Sequence, residues 1–265
     1  MKILSPKIYT TRAHNEQMKY MWFSRRIDEE VDITNYRSIL PVLQRYVTPK
    51  SMMLEAGCGL CGWQIKLLDL GYNIEGVDFD SFVVSKVKEH RPEIKVSVQD
   101  ILNLVCENGH YDVYISLGVI EHFENGPESA LSEAYRVLSD DGLLFVTVPY
   151  NNLFRKYIYH PARNFYFFIM KLFMKKTYFS EYRFNKDELT ELITTAGFKI
   201  IETGIDDFAS PFKSMGLWAD IPFCRGSKPY TLNTIGRIFS FLVSFSKWMT
   251  TSGIYIVAKK RGACE

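Results

Sequence analysis

The feature that most constrains this chain is a glycine loop, Glu55-Ala56-Gly57-Cys58-Gly59-Leu60-Cys61-Gly62, set between a short apolar run and a helical period. The run before it, 51–56 (SMMLEA), reads as a strand. The segment after it, 64–70, is helical, with Ile65, Leu67, Leu68 and Leu70 apolar, and Gly71 stops it. Gly57, Gly59 and Gly62 satisfy G-x-G-x-x-G, a spacing that lets backbone amides approach a ligand at a helix N-terminus. The same rhythm continues downstream. Residues 73–78 (NIEGVD) are strand-like, and 81–90 are helical with Ser81 as N-cap and Pro92 beyond the end. Strands are expected at 94–98 and 112–116. A helix over 127–138 carries Leu131, Ala134, Tyr135 and Leu138 at helical spacing, and an Asp140-Asp141-Gly142 turn leads into a strand at 143–148. Strand and helix alternate five times before Pro149. That alternation is the signature of a parallel sheet covered by helices on both faces.

A chain of 265 residues with 47% apolar and 15% aromatic content can bury a full core and is not disordered. The spacing predicts one domain over 1–265. Residues 1–50 form a helical cap, with Ile39, Leu40, Leu43 and Val47 as its stripe. Residues 51–149 form the ligand-binding core, and insertions fall at 150–184 and 205–251. Between the insertions, Asn185 and Glu188 suit a capping box before the stripe Leu189, Leu192, Ile193 and Ala196, and 198–203 reads as a strand. The last strand is 253–258 (GIYIVA). The stretch 143–154, free of Asp, Glu, Lys and Arg, is too short for a membrane-spanning helix and contains Pro149. The first residues lack the apolar core of a signal peptide, and five cysteines do not suggest a disulfide framework. A reducing cytoplasm is the expected compartment.

Two cofactors compete for the glycine loop. A dinucleotide would lay its pyrophosphate on the helix end and its ribose on Asp78, which lies 21 positions after Gly57. S-adenosylmethionine also offers ribose hydroxyls, but it carries an ammonium and a sulfonium in place of phosphate. Glu55, just before the loop, would repel pyrophosphate and suit a cationic ligand. Asp100, at the next strand end, could accept from an adenine amino group. Three carboxylates at three successive strand ends favour the methyl donor.

The segments LEAGCGLCGW (54–63), GVDFD (76–80), VQDI (98–101), YDVYISLGVIEHF (111–123), LSDDGLLFVTVP (138–149) and NKDELTELITTAGFKII (185–201) together resemble the class I S-adenosylmethionine-dependent methyltransferases, of the broad small-molecule type. The resemblance covers about residues 35–204 and the final strand. It implies a Rossmann-like three-layer α/β sandwich whose seven-stranded, mostly parallel sheet has an antiparallel last strand inserted beside the fifth, with helical lid insertions. It further implies that Gly57 and Gly59 line the methionine half of the cofactor and that Asp78, with Phe79 beside it, serves the ribose. Asp100 and Ile101 would frame the adenine, and Leu117 and Gly118 would face the methionine part. Cys58 occupies a loop position where the family often has cysteine. A redox or metal role for Cys58-x-x-Cys61 lacks a second pair or histidine cluster to complete it.

Methyl transfer is an in-line displacement, helped by positioning and, where the acceptor loses a proton, by a base. Glu121 and His122 follow the strand where the reactive end should lie; Tyr150 and His160 come after the next strand. Imidazoles ordinarily titrate near neutral pH, although a Glu-His pair here also suits loop anchoring. The expected activity is transfer to a small-molecule, glycan or lipid-linked acceptor. A nicotinamide-dependent oxidoreductase and a non-catalytic binding module are the alternatives.

Charge divides unevenly. Residues 1–150 hold 15 Lys/Arg and 21 Asp/Glu, against 17 and 9 in 151–265. The aromatic segment 151–179 contains six Lys/Arg and no acid, and 235–249 is apolar at nearly every position. Within the first, 165–174 would form an apolar helix face edged by Lys171, Lys175 and Lys176. These segments are either lid helices buried against each other or a basic apolar surface for an anionic membrane or lipid-linked acceptor. Nucleic acid is disfavoured, because the aliphatic content exceeds what phosphate binding needs.

Overall fold

The computed structural model describes residues 5–10, 22–173, 176–210, 212, 215–227, 230–243 and 246–262. In chain order the elements begin with β1 (Lys7–Thr10), α1 (Ile27–Thr34), α2 (Ile39–Tyr46), β2 (Met52–Ala56), α3 (Gly62–Asp69), β3 (Asn73–Asp78) and α4 (Ser81–His90). There follow β4 (Val96–Val98), β5 (Tyr111–Leu117), α5 (Glu128–Val137), β6 (Leu138–Pro149), α6 (His160–Leu172), β7 (Tyr178–Tyr182) and α7 (Lys186–Thr195). The chain closes with β8 (Phe198–Asp206), α8 (Met215–Asp220), α9 (Thr234–Val243), α10 (Lys247–Thr250) and β9 (Gly253–Lys260).

Seven strands form one sheet in the order β4-β3-β2-β5-β6-β9-β8. The ladders from β4 to β6 are parallel, and β9 runs antiparallel to both β6 and β8. This is the seven-stranded α/β sandwich implied by the resemblance, with the reversed last strand inserted beside β6. Alternating side chains divide the core between the two faces. Leu54, Leu144 and Ile256 pack under α5 and α7, whereas Met53, Phe145 and Val257 pack under α2 and α3. The chain order reverses between β2 and β5, the place where a crevice opens beyond the strand ends of such sheets. Gly57 and Gly118 follow those two strand ends.

The helical reading of residues 1–50 holds for α1 and α2 but not for β1, which pairs antiparallel with β7 in a separate two-stranded sheet. Its four residues alternate in burial, with Ile8 turned inward, and the partner lies over 160 positions away. No local pattern announces such a pairing. The strand read at 94–98 shortens to β4, and β6 starts at Leu138, ahead of the Asp140-Asp141-Gly142 turn. Asp141 adopts a φ of 66° there, and the ladder to β5 shifts register. Residues 155–159 wind as a π-helical turn into α6. Met174 and Lys175, expected on the lid helix, lie outside the described residues. Among the described residues no helix is long and apolar enough to cross a membrane.

Candidate active site

A cleft of about 340 Å³ opens at the strand ends of β2, β3 and β5. Seven of the residues singled out in the sequence line it: Gly57, Asp78, Phe79, Asp100, Ile101, Gly118 and His122. Trp22, Asp80, Leu102, Val119 and Phe123 line it as well. Asp80 belongs to the GVDFD segment and could have been found there. Trp22 and Phe123 come from tertiary packing that no spacing reveals.

The loop after β2 is held by its own backbone and by β3. The Gly57 and Cys58 amides both donate to the Val77 carbonyl, at 2.8 and 3.0 Å. Gly57 has a φ of +76°, and a Cβ there would lie 2.7 Å from Cγ2 of Val119. Glycine thus serves two needs, the left-handed backbone and the close approach of the cleft wall. Asp78 is buried and accepts from the Gly59 amide at 2.8 Å and from the Asp80 amide at 2.9 Å. Burial raises its carboxyl, and those two amide bonds oppose the rise. Asp78 therefore shapes the glycine loop before any ligand arrives. Asp100 accepts from the Leu102 amide at 2.9 Å through one oxygen, which turns the chain and places Ile101 and Leu102 along the wall.

Glu55, Cys58, Gly59, Leu117, Glu121 and Tyr150 are not among the lining residues. Glu55 is buried behind the loop, where it accepts from the Gln64 amide in the first turn of α3 at 2.8 Å. Burial, with Asp78 nearby, pushes its carboxyl up to about 8. It caps a helix from beneath the loop. Cys58 and Cys61 are buried with their sulfurs 3.1 Å apart, and burial pushes the Cys58 thiol well up, into its unreactive protonated form. Among the described residues no His, Cys, Asp and Glu side chains cluster to hold a metal ion.

The candidates for proton transfer separate in space. His122 contacts the Ser180 carbonyl through Nδ1 at 2.7 Å, so β7 anchors the ring. A carbonyl only accepts, so the basic nitrogen of the neutral ring is Nε2. Glu121 is 2% exposed, and its Oε2 has no hydrogen-bond partner. Its other oxygen lies 3.6 Å from where a Cβ on Gly118 would stand, so the carboxyl sits against the cleft wall. Burial, with Glu181 adding to it, pushes this carboxyl up to about 7, against the pull of His122 and Arg183. Tyr150 packs its ring edge-on against Trp248, with centroids 5.4 Å apart.

A buried ionic cluster lies beside Glu121. Arg155 is 1% exposed; its Nε pairs with Asp220 at 2.6 Å, and it donates to the Tyr150 and Ser252 carbonyls, each at 2.7 Å. Arg183 pairs with Glu181 at 2.6 Å and with the other oxygen of Asp220 at 3.3 Å. His160 is buried against this cluster with Nε2 unpartnered. Burial and the two guanidinium charges depress it to about 4, so the ring stays neutral. Sequence reasoning missed Arg155, Arg183 and Asp220, because a charge in an aromatic insertion looks like a solvated one until its partner, 65 positions away, is seen beside it.

The donor set discriminates between the two cofactor chemistries. Three aspartates, Asp78, Asp80 and Asp100, line the cleft, and among the described residues no Lys or Arg does. Among the described lining residues a pyrophosphate would meet aspartates and no Lys or Arg, whereas a ligand with ribose hydroxyls, an adenine amino group and a cationic centre meets acceptors. Apolar Phe79, Ile101 and Leu102 supply walls for a flat base. The residues present fit S-adenosylmethionine and not a dinucleotide.

Residues 54–146 match a family model described as a methyltransferase domain. A "Probable S-adenosylmethionine-dependent methyltransferase" of Mycolicibacterium smegmatis is 28% identical over 151 residues, which is 57% of this chain and 53% of that protein. A protein of Mycobacterium tuberculosis with the same description is 30% identical over 175 residues, 64% of this chain and 58% of its own length. The chain thus spans little more than half the length of these relatives. Among solved structures, a SAM-dependent methyltransferase from Methanosarcina mazei superposes with a TM-score of 0.59 at 16% identity, covering 83% of this chain and 97% of the other. That last likeness is one of fold.

Proposed function

From the match of residues 54–146 to a methyltransferase domain, we propose that the chain is a class I S-adenosylmethionine-dependent methyltransferase and that it methylates a small-molecule, glycan or lipid-linked acceptor, with Glu121 taking the proton that the attacking group gives up. S-adenosyl-L-methionine, when bound, supplies a methyl group carried on a positively charged sulfur. The chain's own residues do the rest. Asp78 and Asp100 accept from hydroxyl and amino groups, Phe79, Ile101 and Leu102 exclude water from a flat base, and Gly57 and Gly118 let backbone come close.

The observation that carries the proposed base is the unpartnered, buried Oε2 of Glu121, whose other carboxyl oxygen stands near Gly118. A buried carboxyl oxygen without a partner costs about 1–3 kcal/mol of lost hydration. A bound acceptor hydroxyl or amine would recover it. With its carboxyl pushed up to about 7, Glu121 exchanges protons near neutral pH, where a general base is most effective. His160 Nε2, also buried without a hydrogen-bond partner near Arg183, would meet another polar group of the same acceptor. His122 holds β7 to the cleft and orients the loop that bears Glu121.

The test has two parts. Methyl-labelled S-adenosylmethionine is incubated with separated lipid, glycan, small-molecule and protein fractions of cell extract. Label recovered in one of the first three supports the acceptor class, and label confined to protein overturns it. With the labelled acceptor, Glu121→Gln is expected to lower turnover by about 10²–10⁴-fold while cofactor affinity stays unchanged. The wild-type rate should rise with pH through about 7. Undiminished turnover in that variant removes the base assignment.

A further inference from the structure

Helix α9 and the π-helical turn that leads into α6 join the body of the protein through one shared cluster. Phe154, Leu217, Cys224 and Leu232 are buried in it, and Tyr159 and Phe239 pack against it. The Phe154 and Phe239 rings meet edge-to-face at 5.6 Å. The turn before α6 and one face of α9 are therefore packed against the body. Other large apolar side chains of the two helices are exposed: Phe165, Phe168 and Leu172 on α6, and Ile235, Ile238 and Phe241 on α9, are all more than half exposed. These positions recur at i, i+3 and i+6 or i+7, so each set forms a stripe along its helix. The structure thus decides against the reading in which the two segments bury these faces against each other.

We propose that the outer stripes of α6 and α9 form a docking surface for an anionic phospholipid bilayer. The apolar side chains enter the boundary between headgroups and acyl chains, and the exposed cations Lys156, Lys176 and Arg237 engage the headgroups. Charge complementarity selects this occupant. Residues 142–180 and 221–264 contain no Asp or Glu, so nothing in either segment repels an anionic surface. A second copy of the chain would bring the same cations face to face and fits less well. A soluble monomer seldom exposes an apolar patch beyond about 300–600 Å². Six large apolar side chains exposed in two stripes suit a cover that is itself apolar. No described helix can span a bilayer, so the contact is a surface one. This inference does not depend on the assignment of Glu121 or on the identity of the acceptor.

The experiment is co-sedimentation of the full chain with vesicles of phosphatidylcholine alone and of phosphatidylcholine mixed with phosphatidylglycerol, at low and high salt. The wild type is expected to pellet with the anionic vesicles at low salt and to be released as salt rises. Phe168→Glu/Phe241→Glu should abolish binding. Lys156→Gln/Arg237→Gln should reduce it by about 30-fold, at roughly fivefold for each cation. All four substituted positions lie outside the cleft, so unchanged thermal melting and S-adenosylhomocysteine affinity will show that the variants are folded. Equal and negligible pelleting with both vesicle types overturns the proposal. So does a concentration-dependent dimer, seen by sedimentation velocity, that the Phe168→Glu/Phe241→Glu variant dissolves.

Discussion

Replacing Gly57 with alanine should damage the protein through one identifiable contact, and a second substitution should relieve it. At a φ of +76° an L-residue costs about 1–2 kcal/mol. The new Cβ would lie 2.7 and 2.8 Å from the two γ-carbons of Val119, where ordinary carbon contacts are about 3.5–4.0 Å. Overpacking of that kind adds about 1–3 kcal/mol, so Gly57→Ala is expected to cost about 2–5 kcal/mol in total. Val119 is half-buried, and Val119→Ala alone should cost about 1 kcal/mol. In the double variant both γ-carbons are gone, and the nearest remaining Val119 atom is its Cβ at 3.4 Å. Only the backbone cost then persists, so the two substitutions should couple favourably by about 1–3 kcal/mol. Urea denaturation of the four proteins measures this directly. Costs that add to within about 0.5 kcal/mol would show that Gly57 is not kept small by Val119.

Three further outcomes follow from buried charge. Glu55 has its carboxyl raised to about 8, so the folded protein holds that proton more tightly than the unfolded chain, and stability should fall as pH rises from about 4.5 to 8. Glu55→Gln should remove up to about 5 kcal/mol of that slope, measured by urea titrations at both ends of the range; identical pH dependence would contradict the burial argument. His160 is depressed to about 4, so it contributes stability that is lost as pH falls from about 6.5 to 4, and His160→Gln should flatten acid unfolding by up to about 3 kcal/mol. Arg155→Met should cost about 3–5 kcal/mol by calorimetry, because it leaves two backbone carbonyls and one oxygen of Asp220 buried without their donor; a loss below about 1 kcal/mol would show that the pair is not structural.

The parallel core could be read from the chain because its signal is local. Runs such as 51–56 and 143–148 are buried on both faces and so are continuously apolar, and glycines or prolines punctuate them. Gly57, Asp78 and Asp100 were visible for the same reason, since strand ends lie at known distances along the chain. Pairings between distant segments were not visible. β1 meets β7, and Arg155 meets Asp220, with no trace in either local pattern. Side-chain direction was also hidden. Glu55 stands where a carboxylate could face a cation, but the Gln64 amide draws it under the loop. Tyr150 follows β6 on the expected acceptor side, yet its ring is taken up by Trp248. In 165–174 and 235–249 most positions are apolar, so periodicity could not tell a buried face of α6 or α9 from an exposed one.

The central claim is that the cleft bordered by Gly57, Asp78 and Asp100 holds the adenosyl cofactor. Isothermal titration of S-adenosylhomocysteine into the wild type and into Asp78→Ala, with NAD as a control, tests it most directly. Asp78 accepts from the Gly59 and Asp80 amides and faces the cleft, so its loss removes both a ligand contact and the brace of the loop. A hydrogen bond to a charged group is worth about 1.5–3 kcal/mol, which corresponds to roughly a 10- to 150-fold loss of affinity. The expected result is saturable one-to-one binding of S-adenosylhomocysteine by the wild type, binding weakened by that factor in the variant, and no heat with NAD. Binding that is equally tight in a folded Asp78→Ala, or saturable binding of NAD alone, would contradict the account.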